Sequence, residues 1–385
     1  MFLQANFPLP FTAKCPYIPA RMHLGENGKT TSLVAVAKII LLLYLFLLSI
    51  SLLGCAFKCF GQDFAHQLIS ATSNPFLGLV IGVIVTSLVQ SSSVTTSLIV
   101  GLVGGGALSL NSAIPMVMGA NIGTTVTNTL VSLGQITHKQ DFKRAYSAAV
   151  VHDSFNFIAV AIFLPFQIKF NILGKLATSL GGVIADLGGA KFSSPVKAAV
   201  SPVAKIVVEA AGSNPWILIA ISAVLVFLSL NFLVKTLKSV VMSKVQVFFD
   251  RVIFKNSLIS LLFGLLVTVL VQSSSITTSL IVPLAGAGLL NLYQVFPYTL
   301  GANVGTTVTA MLASLATGEM AAVSVALAHL LFNVMGIVVI WPIRSVPVKM
   351  AEFMAKLAVK NRLFPVAIIV LLFYAIPLAV LFLMR

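Results

Sequence analysis

Two stretches of this chain contain no Asp, Glu, Lys or Arg: residues 64–138, between Asp63 and Lys139, and residues 256–318, between Lys255 and Glu319. Each is more than three times the ~20 apolar residues of one membrane-spanning helix, so each must fold back within a bilayer or cross it repeatedly. The rest of the chain is also poor in charge, with 9% charged residues against 58% apolar ones, where a soluble chain carries roughly 25%. Mean hydropathy is +1.06. The apolar residues come in continuous runs, not in ten-residue alternating strands, which specifies helices and excludes an outer-membrane barrel. The fold class expected is an all-α polytopic membrane protein.

A formal net charge of +15 would suggest a nucleic-acid partner in a soluble protein. Here the Lys and Arg residues lie in the short segments between apolar runs, which is the pattern of membrane orientation. Three cysteines, Cys15, Cys55 and Cys59, offer neither a disulfide framework nor a metal cluster. Leu52-Leu53-Gly54-Cys55 resembles a lipoprotein cleavage box, but some thirty residues precede the apolar run, whereas a signal peptide has a short basic start. The first helix is therefore expected to be retained.

The chain divides into a cytoplasmic amino-terminal segment (1–33), a first half (34–166), an external loop with amphipathic helices (167–213), a second half (214–343), and an amphipathic segment with a final transmembrane helix (344–385). The halves are copies. Residues 86–133 match residues 268–315 at a constant offset of 182, with 30 identities in 48 positions and no gap. Gln90-Ser91-Ser92-Ser93 recurs as Gln272-Ser273-Ser274-Ser275, and Gly119-Ala120-Asn121-Ile122-Gly123-Thr124-Thr125 as Gly301-Ala302-Asn303-Val304-Gly305-Thr306-Thr307. After a five-residue slip, the run from His152 to Asn156 matches that from His329 to Asn333.

If each Gln-Ser-Ser-Ser is the tip of a re-entrant helical hairpin (90–93 and 272–275), each half has three full crossings, at 34–57, 112–133 and 145–166, and at 214–234, 294–316 and 320–343. An odd number inverts the second copy relative to the first. With the amino terminus inside, 16 of the 24 basic residues fall on the inner side and 7 on the outer, as the positive-inside rule requires. The expected location is the plasma (inner) membrane, multi-pass, with the amino terminus cytoplasmic and the carboxyl terminus outside.

Four consecutive polar residues inside an apolar run are costly. Non-helical backbone at membrane depth is tolerated only where protein buries it or where it lines a wet cavity, and duplicated interruptions in two halves point to the central site of a transporter. Each tip opens a following half-helix whose first N–H groups are unpaired and carry partial positive charge, which suits an anion. Serine hydroxyls add donors. The Gln amides, freed carbonyls and the hydroxyls of Thr124, Thr125, Thr306, Thr307 and Thr309 are hard oxygen ligands for a hard cation. Asn121 and Asn303 can serve either ion.

Neither charge-free stretch supplies a Lys or Arg for a bound anion, or a carboxylate for a cation. A multivalent anion held by neutral donors alone needs cations bound beside it, and co-bound sodium would provide both the neutralisation and the coupling. Asp153 is the one acid inside an expected span. The second copy has Leu330 at that position, so the carboxylate lies outside the shared design, and helix-to-helix hydrogen bonding through His152, Asn156, His329 and Asn333 is expected instead. Gly104-Gly105-Gly106 follows no strand and reads as a hairpin end or a close-packing site, not a nucleotide loop.

At these residues the chain resembles the type II sodium-dependent phosphate cotransporter family, whose bacterial and animal members carry two QSSS repeats. The resemblance runs from about Phe76 to Pro342. It implies sodium-driven symport of inorganic phosphate by alternating access, a transport unit carrying both hairpins against a scaffold, homodimers in the lipid bilayer, and no cofactor, sodium being a co-substrate. It implies that Ser91, Ser92, Ser93, Ser273, Ser274 and Ser275 cradle phosphate, while Gln272, Thr306 and Thr309 ligate sodium. By analogy and internal symmetry Gln90, Thr124 and Asn303 join the sodium ligands and Asn121 the phosphate.

Three departures stand out. The region of Gly104 to Gly106 lacks the acidic residue of electrogenic animal members, which leans toward an electroneutral cycle with two sodium ions. The loop 167–213 has no cysteine, and one last span precedes Arg385. The alternatives are an ion channel with two re-entrant loops or a carrier of another small anion. An intramembrane enzyme is disfavoured by the lack of HExxH, GxSxG or paired carboxylates in the spans.

Overall fold

The computed structural model describes residues 28–60, 69, 72–187, 195–249 and 256–383. The leader with Lys14 and Arg21, Gly188-Gly189, and the end of the basic segment 235–255 lie outside them. Among the described residues every regular element is a helix. In the first half these are α1 (Gly28–Cys59), α2 (Pro75–Val89), α3 (Ser92–Gly104), α4 (Leu110–Gly123), α5 (Thr125–Leu133) and α6 (Lys139–Phe170). Two amphipathic helices follow, α7 (Ile172–Leu187) and α8 (Pro195–Ala210). The second half holds α9 (Pro215–Phe249), α10 (Ser257–Val271), α11 (Ser274–Gly286), α12 (Leu292–Thr317) and α13 (Met320–Ile340). The chain then runs through α14 (Ser345–Lys360) and α15 (Phe364–Leu383), which contains a π-helical turn at Leu371–Ala375.

Local chemistry sets the same boundaries in both copies. Asn74 accepts the Phe76 N–H at 2.9 Å and Asn256 accepts that of Leu258 at 2.9 Å, capping α2 and α10. Both helices end at a glutamine in the left-handed region, Gln90 at φ 58° and Gln272 at φ 56°, and both are followed by a serine that caps the next helix. The limbs of each hairpin have 15 and 13 residues, about 22 and 20 Å at 1.5 Å per residue. Neither limb reaches across a ~30 Å hydrocarbon layer.

Among the described residues five helices are long and apolar enough to cross a membrane: Val34–Cys59, Lys139–Phe170, Pro215–Leu237, Met320–Ile340 and Phe364–Leu383. The chain is a multi-pass membrane protein. The crossings expected at 112–133 and 294–316 differ from these. The first is broken at Thr124 into α4 and α5, and the second is the continuous helix α12. Both are buried along most of their length, and a helix surrounded by protein has no need of a lipid-like composition, so it can carry the polar GANxGTT run. The segment from Lys235 begins as a continuation of α9, which runs unbroken to Phe249.

Packing ties each half to the other. The first helices of the two halves, α1 and α9, lie together through Leu42, Phe46 and Ile50 with Val226, Leu230 and Leu233. Within each half the first hairpin limb packs on the GANxGTT helix at backbone contact. A Cβ on Gly82 would stand 2.0 Å from the Met116 carbonyl and one on Gly119 2.0 Å from that of Leu79. Gly264 and Gly301 repeat the arrangement at 2.1 Å from Tyr298 O and 1.9 Å from Leu261 O. Small residues at such crossings let membrane helices approach closely. The second limbs cross over, α3 lying against α12 and α13, and α11 against α5 and α6. Aromatic pairs bridge the same boundary, Phe155 with Phe296 at 6.2 Å and Phe163 with Phe332 at 6.1 Å between centroids.

Candidate functional site

The two Gln-Ser-Ser-Ser segments meet. Ser93 Oγ donates to the backbone carbonyl of Gln272 at 3.3 Å, across 179 residues of sequence. Around this contact Ser92, Ser93, Ser274 and Ser275 are buried, while Gln90, Ser91 and Ser273 are half-buried. Ser91 and Ser273 act as N-caps: their hydroxyls accept the Val94 and Ile276 N–H groups at 3.3 and 3.4 Å. Each cap takes up one of the orphan amides at the helix start and leaves others free for an anion.

The glutamines are held by a motif that recurs at both tips. Gln90 Nε2 donates to the Ser87 carbonyl, and Gln272 Nε2 to that of Val269 at 2.6 Å. Their Oε1 atoms accept from Thr127 Oγ1 and Thr309 Oγ1, both at 2.8 Å. With its nitrogen anchored one turn back and its oxygen fixed by a threonine, each amide oxygen has a defined position and spare lone pairs for a cation. Thr124 and Thr306 each donate to the carbonyl four residues earlier, Ala120 and Ala302, at 3.1 Å. Their oxygens keep acceptor capacity beside the tips' own helices.

Asn121 and Asn303 sit differently from the other site candidates. Asn121 Oδ1 accepts from His329 Nε2 at 3.0 Å, and its Nδ2 donates to Asn333 Oδ1 at 3.1 Å. Asn303 Oδ1 pairs with His152 Nε2, and its Nδ2 donates to Asn156 Oδ1 at 2.9 Å. Asn156 Nδ2 returns to the Asn121 carbonyl at 3.1 Å. All six side chains are buried. The asparagine of each half is thus held by the histidine and asparagine of the other, and both polar ends of each GANxGTT amide are occupied by protein.

Asp153 accepts from Thr125 Oγ1 and lies 3.5 Å from His152 Nδ1. The matching nitrogen of the second half, His329 Nδ1, makes no hydrogen bond among the described residues. Gly106 and Gly288 both take φ +78°, so the glycine runs end the second limbs in a turn that favours residues lacking a Cβ.

Three residues at the site escaped the sequence argument. Thr127 reads as an ordinary helix hydroxyl, although its repeat partner is Thr309, so the internal symmetry could have found it. Asn128 accepts from Thr278 Oγ1 at 3.0 Å and Ser279 Oγ at 2.9 Å, binding α5 to α11 across the halves. Its counterpart is Ala310, so symmetry gives no signal there. Tyr374, in the π-helical turn of α15, donates to the Ser87 carbonyl at 3.0 Å, one turn before the first tip. Nothing in the order of the residues brings the last helix there. Among the described residues no group of three or more His, Cys, Asp and Glu side chains could hold a metal ion.

The family model described as Na+/Pi-cotransporter matches residues 45–189 and 225–358. These two segments contain both hairpins, both GANxGTT runs and both His–Asn elements. The chain belongs to the Na+/Pi-cotransporter family. This is the type II family of the motif resemblance, a family of transporters and not of enzymes. The chain is 30% identical to sodium-dependent phosphate transport protein 2A of Ovis aries and 33% to that of Rattus norvegicus, with 94% of this chain and 73% of each relative covered. Sodium-dependent phosphate transport protein 2B of Homo sapiens is 30% identical, covering 90% of this chain and 65% of the relative. No solved structure matches the chain.

Proposed function

We propose that this chain is a sodium-coupled symporter that imports inorganic phosphate by alternating access, with phosphate held between the two hairpin tips and sodium bound beside it. Family membership supports sodium-coupled phosphate transport. The observation that carries the site is the contact of Ser93 with Gln272, which joins two half-helix starts and six serines in one place with no cationic side chain among them. A phosphate dianion held by Ser91, Ser92, Ser93, Ser273, Ser274 and Ser275 would be uncompensated there, because isolated charge at membrane depth is expensive. Sodium on Gln90, Thr124, Gln272, Thr306 and Thr309 neutralises it, and the mutual need of the two ions is the coupling.

With their amides hydrogen-bonded across the halves, Asn121 and Asn303 couple one half to the other, and each amide oxygen, like those of Gln90 and Gln272, keeps a lone pair, so Asn121 stays with the phosphate and Asn303 with sodium. The two halves are inverted repeats whose hairpins are re-entrant. The short limbs and the reciprocal crossing of α3 and α11 support that reading, and the basic connections support a cytoplasmic amino terminus, an external carboxyl terminus and the inner membrane. The functional unit in the bilayer is a homodimer.

The test is uptake of radiolabelled phosphate into liposomes holding the purified protein, with sodium, potassium and proton gradients imposed separately. Concentrative, saturable uptake is expected with sodium alone. Ser92→Ala and Ser274→Ala variants that fold normally should lose it. Sodium-independent currents, or full activity in both variants, would refute the assignment.

A further inference from the structure

A cavity of about 770 Å³ opens away from the hairpin tips, between the start of α6, the connection from α11 to α12, and α14. Its charged lining residues are Lys143, Arg144, Lys356 and Glu352. Arg144 is partly committed, with Nη2 on Asp141 Oδ1 at 2.7 Å and Nε donating to the Gly286 carbonyl at 2.8 Å. Lys143 and Lys356 make no ion pair or hydrogen bond among the described residues. The cavity therefore gathers two unpaired ammonium groups and a guanidinium against Glu352 and the Asp141 that pairs with Arg144, three cations against two carboxylates.

Its position is at a membrane boundary. Lys143 and Arg144 lie in the first turns of the candidate span Lys139–Phe170, and α14 joins the candidate spans Met320–Ile340 and Phe364–Leu383. One wall is apolar and open, formed by Leu289 and Tyr293, which are 66% and 50% exposed. Beyond it the outer face of α14 shows Phe353, 59% exposed, beside the basic residues. An amphipathic, basic helix of this kind favours anionic lipid surfaces.

We propose that this cavity binds a phosphate group on Lys143, Arg144 and Lys356, and that the head of an anionic phospholipid is the source, its acyl chain lying over Leu289 and Tyr293. The occupant would clip the far end of the second hairpin, through the connection after α11, to α6 and α14. The site is independent of the one proposed at the tips, and its test reads binding, not transport.

Purified full-length protein is equilibrated with detergent micelles containing phosphatidylglycerol or phosphatidylcholine, and retained lipid is counted by native mass spectrometry. The wild type should keep phosphatidylglycerol and not phosphatidylcholine, and Lys143→Gln with Lys356→Gln should lower retention roughly ten-fold or more at unchanged thermal stability. Glu352→Gln, which removes the opposing carboxylate, should raise it. A parallel arm replaces lipid with inorganic phosphate and records the melting temperature of the wild type, the double lysine variant and Ser92→Ala. Greater stabilisation of the wild type and Ser92→Ala than of the lysine variant would keep the phosphate-group site and assign it to the free anion. Equal phosphatidylglycerol retention in the wild type and the lysine variant, with the same phosphate response in all three proteins, would overturn the proposal.

Discussion

Thr309 donates its hydroxyl to Gln272 Oε1 at 2.8 Å, and at the other tip Thr127 does the same for Gln90 at the same distance. Thr309→Val keeps the shape and removes the donor, freeing an amide that the proposed cation site holds in one orientation. A hydrogen bond of this kind contributes about 0.5–1.5 kcal/mol net, so the sodium concentration for half-maximal uptake should rise roughly two- to ten-fold. Thr127→Val should act in the same direction. Sodium titrations of phosphate uptake in proteoliposomes decide it, and unchanged sodium dependence in both variants would remove the threonine–glutamine pairs from the site.

The asparagine–histidine exchange between halves makes a second prediction. His329→Phe leaves the buried Oδ1 of Asn121 without its donor, at a cost of about 1–3 kcal/mol. The melting temperature in detergent should fall, and Asn121→Ala should add little further loss in the His329→Phe background, because both changes break the same link. Strict additivity would show that the two side chains do not cooperate.

Gly301→Ala should be poorly tolerated. Its Cβ would lie 1.9 Å from the Leu261 carbonyl, backbone that can move only by parting α10 from α12. Overpacking of this kind costs about 1–3 kcal/mol or more. Gly182→Ala is the control, since nothing lies within 4 Å of its Cβ and alanine favours a helix by up to ~1 kcal/mol. Thermal melts and expression yields of the two variants should diverge.

Asp153→Asn retains an oxygen for Thr125 and removes the charge. If the residue is structural, the variant folds and its maximal uptake rate stays within about two-fold of wild type, the range of a sub-kcal/mol change. A loss of more than ten-fold in a folded variant would give the carboxylate a part in cation binding.

Much of this was legible in the order of residues. The charge-free stretches demanded membrane folding, the offset of 182 showed the duplication, and Gln-Ser-Ser-Ser marked the breaks, because polar side chains in an apolar run have few other places to be. Element ends were equally local: Asn74, Asn256, Ser91 and Ser273 act on amides two or three residues away. The expected pairing of His152, Asn156, His329 and Asn333 between helices was also within reach, since buried polar groups in a membrane must satisfy one another.

The partners themselves were decided only in three dimensions. Composition shows that Asn121 is polar, but not that its amide is held by His329 and Asn333 of the other half. The glycines of GANxGTT prove to be contact points for the hairpins, because closeness to the Leu79 and Leu261 carbonyls is a property of two helices and not of one. Tyr374 reaches Ser87 across 287 residues through a π-helical turn. Local sequence sets where a helix starts, stops and breaks, because those energies involve neighbours in the chain. Which polar groups pair with one another across the halves depends on contacts between distant segments, and those exist only in the folded arrangement.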